Sequence, residues 1–141
     1  MSFNGIYETS GSAMTAQTIR LNTISSNLAN ADSVASNPND VYKPLKPVFS
    51  AAFNSLSAAQ KDQGLVPVKI ADVIELDGLA QTRYEPNNPL ANDQGYVYHT
   101  GINVVNEMAD MMSSTRSFEA NVEVLNNVKS MQQSMMRIWE V

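Results

Sequence analysis

His99 is the chain's single histidine, and there is no cysteine among its 141 residues. A zinc site built on nitrogen and sulfur needs several such side chains, and a nucleophile paired with a base needs a second partner. Neither can be assembled here, and His99 is expected to be a solvent-facing residue of a predicted strand. Asn87, Asn88, Asn92 and Asp93 offer oxygen ligands within one turn-rich stretch. Their spacing lacks the order of a calcium-binding loop and its closing glutamate, so no calcium site is expected. Glu75 and Asp77 alternate like a working carboxylate pair, but no aromatic substrate groove accompanies them, and solvated surface charge is the simpler role. Gly11-Ser12-Ala13 has neither the lysine nor the spacing of a phosphate-binding loop. No catalytic residue, metal site or cofactor is therefore expected.

The bulk composition narrows the partners. The net charge is −5 and the pI about 4.7, which disfavours nucleic acid, because phosphate binding needs a basic face. Apolar residues make up 43% and charged residues only 16%. The charge deficit is filled by Asn, Ser, Gln and Thr, which suggests surface meant to be covered by something other than water. No run approaches the length of a membrane span, and the first twenty residues show no basic region followed by an apolar one, so neither membrane insertion nor a cleaved signal is expected.

Glycine and proline divide the chain. All six prolines and four of the six glycines fall between Pro38 and Gly101; neither residue occurs from Ser12 to Asn37 or after Gly101. Because both break helices, the expected order is helix, β- and turn-rich centre, helix, with segments 1–34, 35–101 and 102–141. In the first helix Phe3, Tyr7, Met14, Leu21, Ile24, Leu28 and Ala31, with Ser10 and Gln17 filling the gaps, fit one narrow seam spaced by threes and fours. Only Glu8 and Arg20 are charged in that stretch. In the last helix Asn103 is the expected cap, with Glu107 and Asp110 near the positive end of the dipole and Arg137 near the negative end. Val104, Met108, Met111, Thr115, Phe118, Val122 and Leu125 form its expected seam, which then shifts face to Val128, Met131, Met135 and Ile138. A helix from Val104 to Trp139 would be about 54 Å long. So small a protein cannot bury both ends of such a rod in itself.

In the centre, Val66, Val68 and Ile70 alternate, and Val73, Ile74 and Leu76 continue after a slip that fits a β-bulge. Gln81–Glu85 and Tyr96–His99 read as further strands around the turn-forming EPNNPLANDQG. Lys43–Pro47 is expected to be extended, and Ser50–Gln60 a loop with some helical character. The Met-rich end, Ser130–Val141, could lie on a membrane surface or against protein. The scarcity of lysine and arginine favours protein.

These stretches resemble a known family. Ser10–Ser33 is similar to the N-terminal helix of axial proteins of the bacterial flagellum, with Asn27, Ala29 and Asn30 at the positions of that family's N-x-A-N element. Glu85–Met131 resembles the proximal-rod FlgC family of basal-body rod proteins. The shared features are the P-x-x-P-x-A turn from Pro86 to Ala91, Gly95-Tyr96-Val97, Asn103-Val104-Val105, and R-S-F-E-A-N from Arg116 to Asn121. The resemblance covers roughly half of the chain, and the stretch from Ala35 to Leu79 matches less well. It implies a structural part rather than an enzyme, exported by the flagellar type III apparatus and built into the periplasmic rod that transmits torque. Its implied partners are further copies, other rod subunits, a membrane-ring-proximal adaptor subunit and the export apparatus. Distal-rod and hook subunits are usually much larger, and a helical export adaptor would carry more charge on its helices.

The expected fold is mainly α with a small β centre, the terminal helices pairing as an antiparallel coiled-coil-like hairpin. The expected assembly interface comprises Leu21, Ile24, Leu28, Met111, Phe118, Val122 and Leu125 as the apolar set. Asn27, Asn30, Arg116 and Asn121 are its polar members. Simple residence in the chain's own core is the alternative for the apolar set.

Overall fold

A computed structural model describes residues 3–53, 66–77 and 80–139. Two long helices, α1 (Phe3–Ala29) and α2 (Val104–Trp139), enclose five strands: β1 (Val34–Ala35), β2 (Leu45–Ala51), β3 (Val68–Glu75), β4 (Gln81–Tyr84) and β5 (Tyr96–His99). The chain is thus mainly helical with a small β centre.

In α1 the hydroxyl-bearing residues that weaken isolated helices find local partners. Thr15 and Thr18 donate to the carbonyls four residues back, and Ser12 and Thr23 to those three back. The helix closes at Asn30, whose backbone N–H and side-chain amide both donate to the Ser26 carbonyl. Asn103 caps α2 as expected: its side-chain oxygen accepts from the Asn106 N–H at 3.2 Å, and its carbonyl accepts from Glu107 N–H.

The two helices run antiparallel side by side. Tyr7 donates to Gln132 at one end, and Asn27 donates to Glu107 at the other. At that second end a three-stranded antiparallel sheet, ordered β1-β5-β4, ties the chain leaving α1 to the chain entering α2. Val97 is fully buried in it, and Thr100 binds back to Ala31 and Ser33. The turn from β4 to β5 needs Gly95. Its φ is +80°, and a Cβ there would come within 2.8 Å of the Tyr84 ring.

β2 and β3 form a separate antiparallel ribbon packed along α1, with the Val68 N–H bonded to the Ser12 hydroxyl. Its register shifts between Val48 and Phe49, leaving Ala71 as the extra residue opposite them, which is the bulge expected from the phase slip. The extended stretch expected at Lys43–Pro47 is in part the start of β2, which then runs to Ala51. Pro47, which has no N–H to give, is tolerated because each strand of a two-stranded ribbon is an edge. The rest of the stretch expected as a loop lies from residue 54 outside the described residues.

On α1 every residue of the expected seam is buried or half-buried. The most deeply buried residues are Gly5, Ser10, Ala16, Thr23, Ile24 and Asn27, mostly small or polar, because α2 and the ribbon approach α1 closely on two sides. On α2 the inward row is Glu107, Met111, Ser114, Phe118, Asn121, Leu125, Val128 and Gln132, all buried or half-buried and spaced by alternating fours and threes. Met111, Phe118 and Leu125 were expected there, and Val128, expected on a shifted face, continues the same row. Val104, Met108, Thr115, Val122, Met131 and Met135 are exposed instead, and the side chain of Ile138 lies outside the described residues.

Candidate assembly interface

The closing end of the helix pair is organised around Asn27, which is 1% exposed. Its amide nitrogen donates to the Leu45 carbonyl at 3.0 Å and to Glu107 Oε2 at 3.0 Å. Its oxygen accepts from Leu45 N–H at 2.8 Å and from the Tyr42 hydroxyl at 3.1 Å. One side chain so joins α1, the start of β2 and the first turn of α2, using both donors and both lone pairs. Tyr42 extends the network to Ser26 at 3.0 Å. Beside it, Asp110 receives Arg20 of α1 at 3.3 Å and Lys46 of β2 at 3.7 Å. These groups border a cleft also lined by Thr23, Ile24, Pro47 and Phe49.

The structure sorts the expected interface residues into two groups. Ile24 is buried, and Leu21, Leu28, Met111, Phe118 and Leu125 are half-buried between the chain's own elements. Asn30 and Asn121 are half-buried and donate to carbonyls four residues back on their own helices. Arg116 is exposed, and Val122 is on the outer side at 37% exposure. Sequence reasoning missed Glu107 as Asn27's buried partner, and missed Tyr42 and Leu45 altogether; only the position of Asn27 between Ile24 and Leu28 hinted at burial. It also missed Val105 and Met112 on the outer side of α2, and placed the exposed Met108 in the seam. Val105 is 73% exposed, Met112 58% and Met108 52%.

His99, expected to face solvent, is half-buried with Nε2 3.3 Å from Glu85 Oε1. Glu85 also accepts from Asn88 at 2.9 Å, and that bond, followed by the charge of His99, holds its carboxyl below the usual carboxylate range. The oxygen of Asn88 is occupied by Leu90 N–H, and that of Asn92 by the N–H groups of Gln94 and Tyr96. The turn is thus braced by the side chains that looked like cation ligands, and among the described residues no acidic or histidine cluster could hold a metal. Asp77 pairs with Lys43 at 2.6 Å rather than with Glu75, and this bond keeps the Lys43 pKa above its ordinary value.

The described chain is a pair of antiparallel terminal helices with a β centre between them and large apolar side chains exposed on α2. Two family descriptions match its ends: "Flagella basal body rod protein" over residues 8–35 and "Flagellar basal body rod FlgEFG protein C-terminal" over residues 93–138. The class is that of flagellar basal-body rod proteins.

Proteins named flagellar basal-body rod protein FlgC are similar along nearly the whole chain. That of Escherichia coli O6:H1 is 47% identical over 131 residues, 93% of each chain. That of Buchnera aphidicola from Acyrthosiphon pisum is 38% identical over 140 residues, 99% of this chain and 100% of the relative. That of Aquifex aeolicus is 36% identical over 138 residues, 98% and 97% of the two chains. The chain belongs to the FlgC family of flagellar basal-body rod proteins.

Proposed function

We propose that the chain is a structural subunit of the flagellar basal-body rod whose terminal helices, paired as a coiled-coil-like hairpin, are its assembly body and pack against copies of itself and against other rod subunits. Segments 1–34 and 102–141 together supply that body, and 35–101 forms the knob beside it. The subunit reaches the rod through the flagellar type III apparatus, meets a membrane-ring-proximal adaptor subunit at one end, and passes torque along the shaft in support of motility.

One observation carries this reading. α2 is 36 residues long, and among the described residues only one of its faces is covered by the chain itself. Val105, Met108 and Met112 turn outward with more than half of their surface exposed. Leaving apolar side chains in water forgoes about 1.5–3 kcal/mol for each one that could be fully buried, so covering this face by a neighbour is a substantial driving force for association. Neutral Ser, Thr, Asn and Gln beside it allow close packing without the cost of burying charge.

Val105→Asp separates assembly from folding. The site is the second residue of α2, where a carboxylate is favoured by about 0.3–1 kcal/mol through the helix dipole. The variant is expected to keep its circular dichroism and melting temperature, yet to be missing from isolated basal bodies and to leave cells non-motile. Normal incorporation of a folded Val105→Asp chain would contradict the reading.

A further inference from the structure

Of the seven methionines among the described residues, Met14 and Met111 are half-buried. The other five are at least half exposed, all on α2, and three of them fall within six residues: Met131 at 50%, Met135 at 51% and Met136 at 63%. Met135 and Met136 line one groove with Phe3 and Gln132, where the start of α1 meets the end of α2. Methionine suits an adaptable contact surface, because its thioether is flexible and polarisable. The same thioether is the group in this face most open to two-electron oxidants, and oxidation turns an apolar side chain into a polar, chiral one.

We propose that Met131, Met135 and Met136 form an oxidation-sensitive modification site, and that their sulfoxides prevent a neighbouring subunit from seating on this end of α2. The oxidant is a peroxide or hypochlorous acid. With hydrogen peroxide, the O–O bond breaks as sulfur donates an electron pair to one oxygen, which stays as the sulfoxide; the other leaves as water. Sulfur loses two electrons and the peroxide gains them. The site is open only before assembly, because a seated neighbour would cover it. Three sulfoxides within six residues would place strong hydrogen-bond acceptors on a face that otherwise offers thioethers. The consequence for assembly rests on the function proposed above; the selectivity of oxidation over Met14 and Met111 rests on exposure, which Met108 and Met112 share, and the three are set apart by their clustering at one end of α2.

Two measurements test it together. Purified full-length chain is treated with hydrogen peroxide and its sulfoxides are mapped by peptide mass spectrometry. Sulfoxide at Met131, Met135 and Met136 is expected to exceed that at Met14 and Met111 by about five-fold or more. In parallel, a strain lacking the chain is supplied with the unaltered protein, with the triple variant M131L/M135L/M136L, or with M131Q/M135Q/M136Q as a polar stand-in for the sulfoxides. The leucine variant is expected to enter basal bodies like the unaltered protein and the glutamine variant about ten-fold less, a deficit that polarity on a contact face readily produces. Equal oxidation of all seven methionines, normal incorporation of the glutamine variant, or equal loss of both variants would overturn the proposal. Absence of the unaltered protein from basal bodies would instead overturn the assembly reading, and the assembly consequence with it.

Discussion

Asn27 does at one position what most small domains spread over several. Its four hydrogen bonds leave no polar atom of the side chain unused, and the groups it satisfies belong to three different elements. Truncation to alanine would strand Leu45 N–H, the Leu45 carbonyl and one oxygen of Glu107 in a nearly dry site. Asn27→Ala is therefore expected to cost about 2–4 kcal/mol, read as a lower urea midpoint with an unchanged slope. A midpoint within error of the parent would mean that water replaces the amide without loss. Glu85 offers a pH-dependent counterpart. Its folded pKa lies below the unfolded value, chiefly through the bond from Asn88, so the stabilisation is present above about pH 4.5 and is lost as the pH falls through the folded pKa. Asn88→Ala should accordingly lower the melting temperature at pH 7, and the difference from the parent should shrink towards pH 3. A difference that stays constant across that range would assign the effect of Asn88 to its bond with Leu90 N–H instead.

The elements of the fold and the inner face of α1 were largely legible in the sequence, and the inner face of α2 was not. The order of helix, β centre and helix followed from where glycine and proline cluster, the cap from Asn103, and the bulge from the slip between Ile70 and Val73; the end of α1 at Ala29, short of Pro38, did not. The α2 face failed because its seam was sought among large apolar residues. On α2 the inward row alternates Glu107, Ser114 and Asn121 with Met111, Phe118 and Leu125, so half of it is polar and invisible to a hydrophobic pattern. The β2 strand was only partly legible because Pro44 and Pro47 mask it, and a two-stranded ribbon imposes little alternation. The corrected facing can be measured. Phe118→Ala, on the inner row, should cost about 2 kcal/mol because the ring is only half-buried, whereas Val122→Ala, on the outer side, should fall within about 0.5 kcal/mol of the parent. Equal losses at the two positions would return Val122 to the intrachain seam.

At the scale of the whole molecule the interior is unusual in kind. Among the described residues seven apolar side chains are buried, Ala16, Ile24, Val41, Pro44, Pro67, Val97 and Val128, none of them larger than isoleucine, against six polar ones, Ser10, Thr23, Asn27, Thr100, Glu107 and Ser114. A core with so few large apolar groups contributes little of the burial that offsets chain entropy, while α2 carries a row of apolar residues pointing outward. The proposed assembly accounts for that distribution: in a rod, neighbouring subunits would cover the helices. The most direct measurement is a density map of the intact rod at side-chain resolution. The account predicts Val105, Met108 and Met112 in contact with an adjacent subunit, with the Asn27 network unchanged inside each chain. A map in which the outer face of α2 lies against solvent would contradict it.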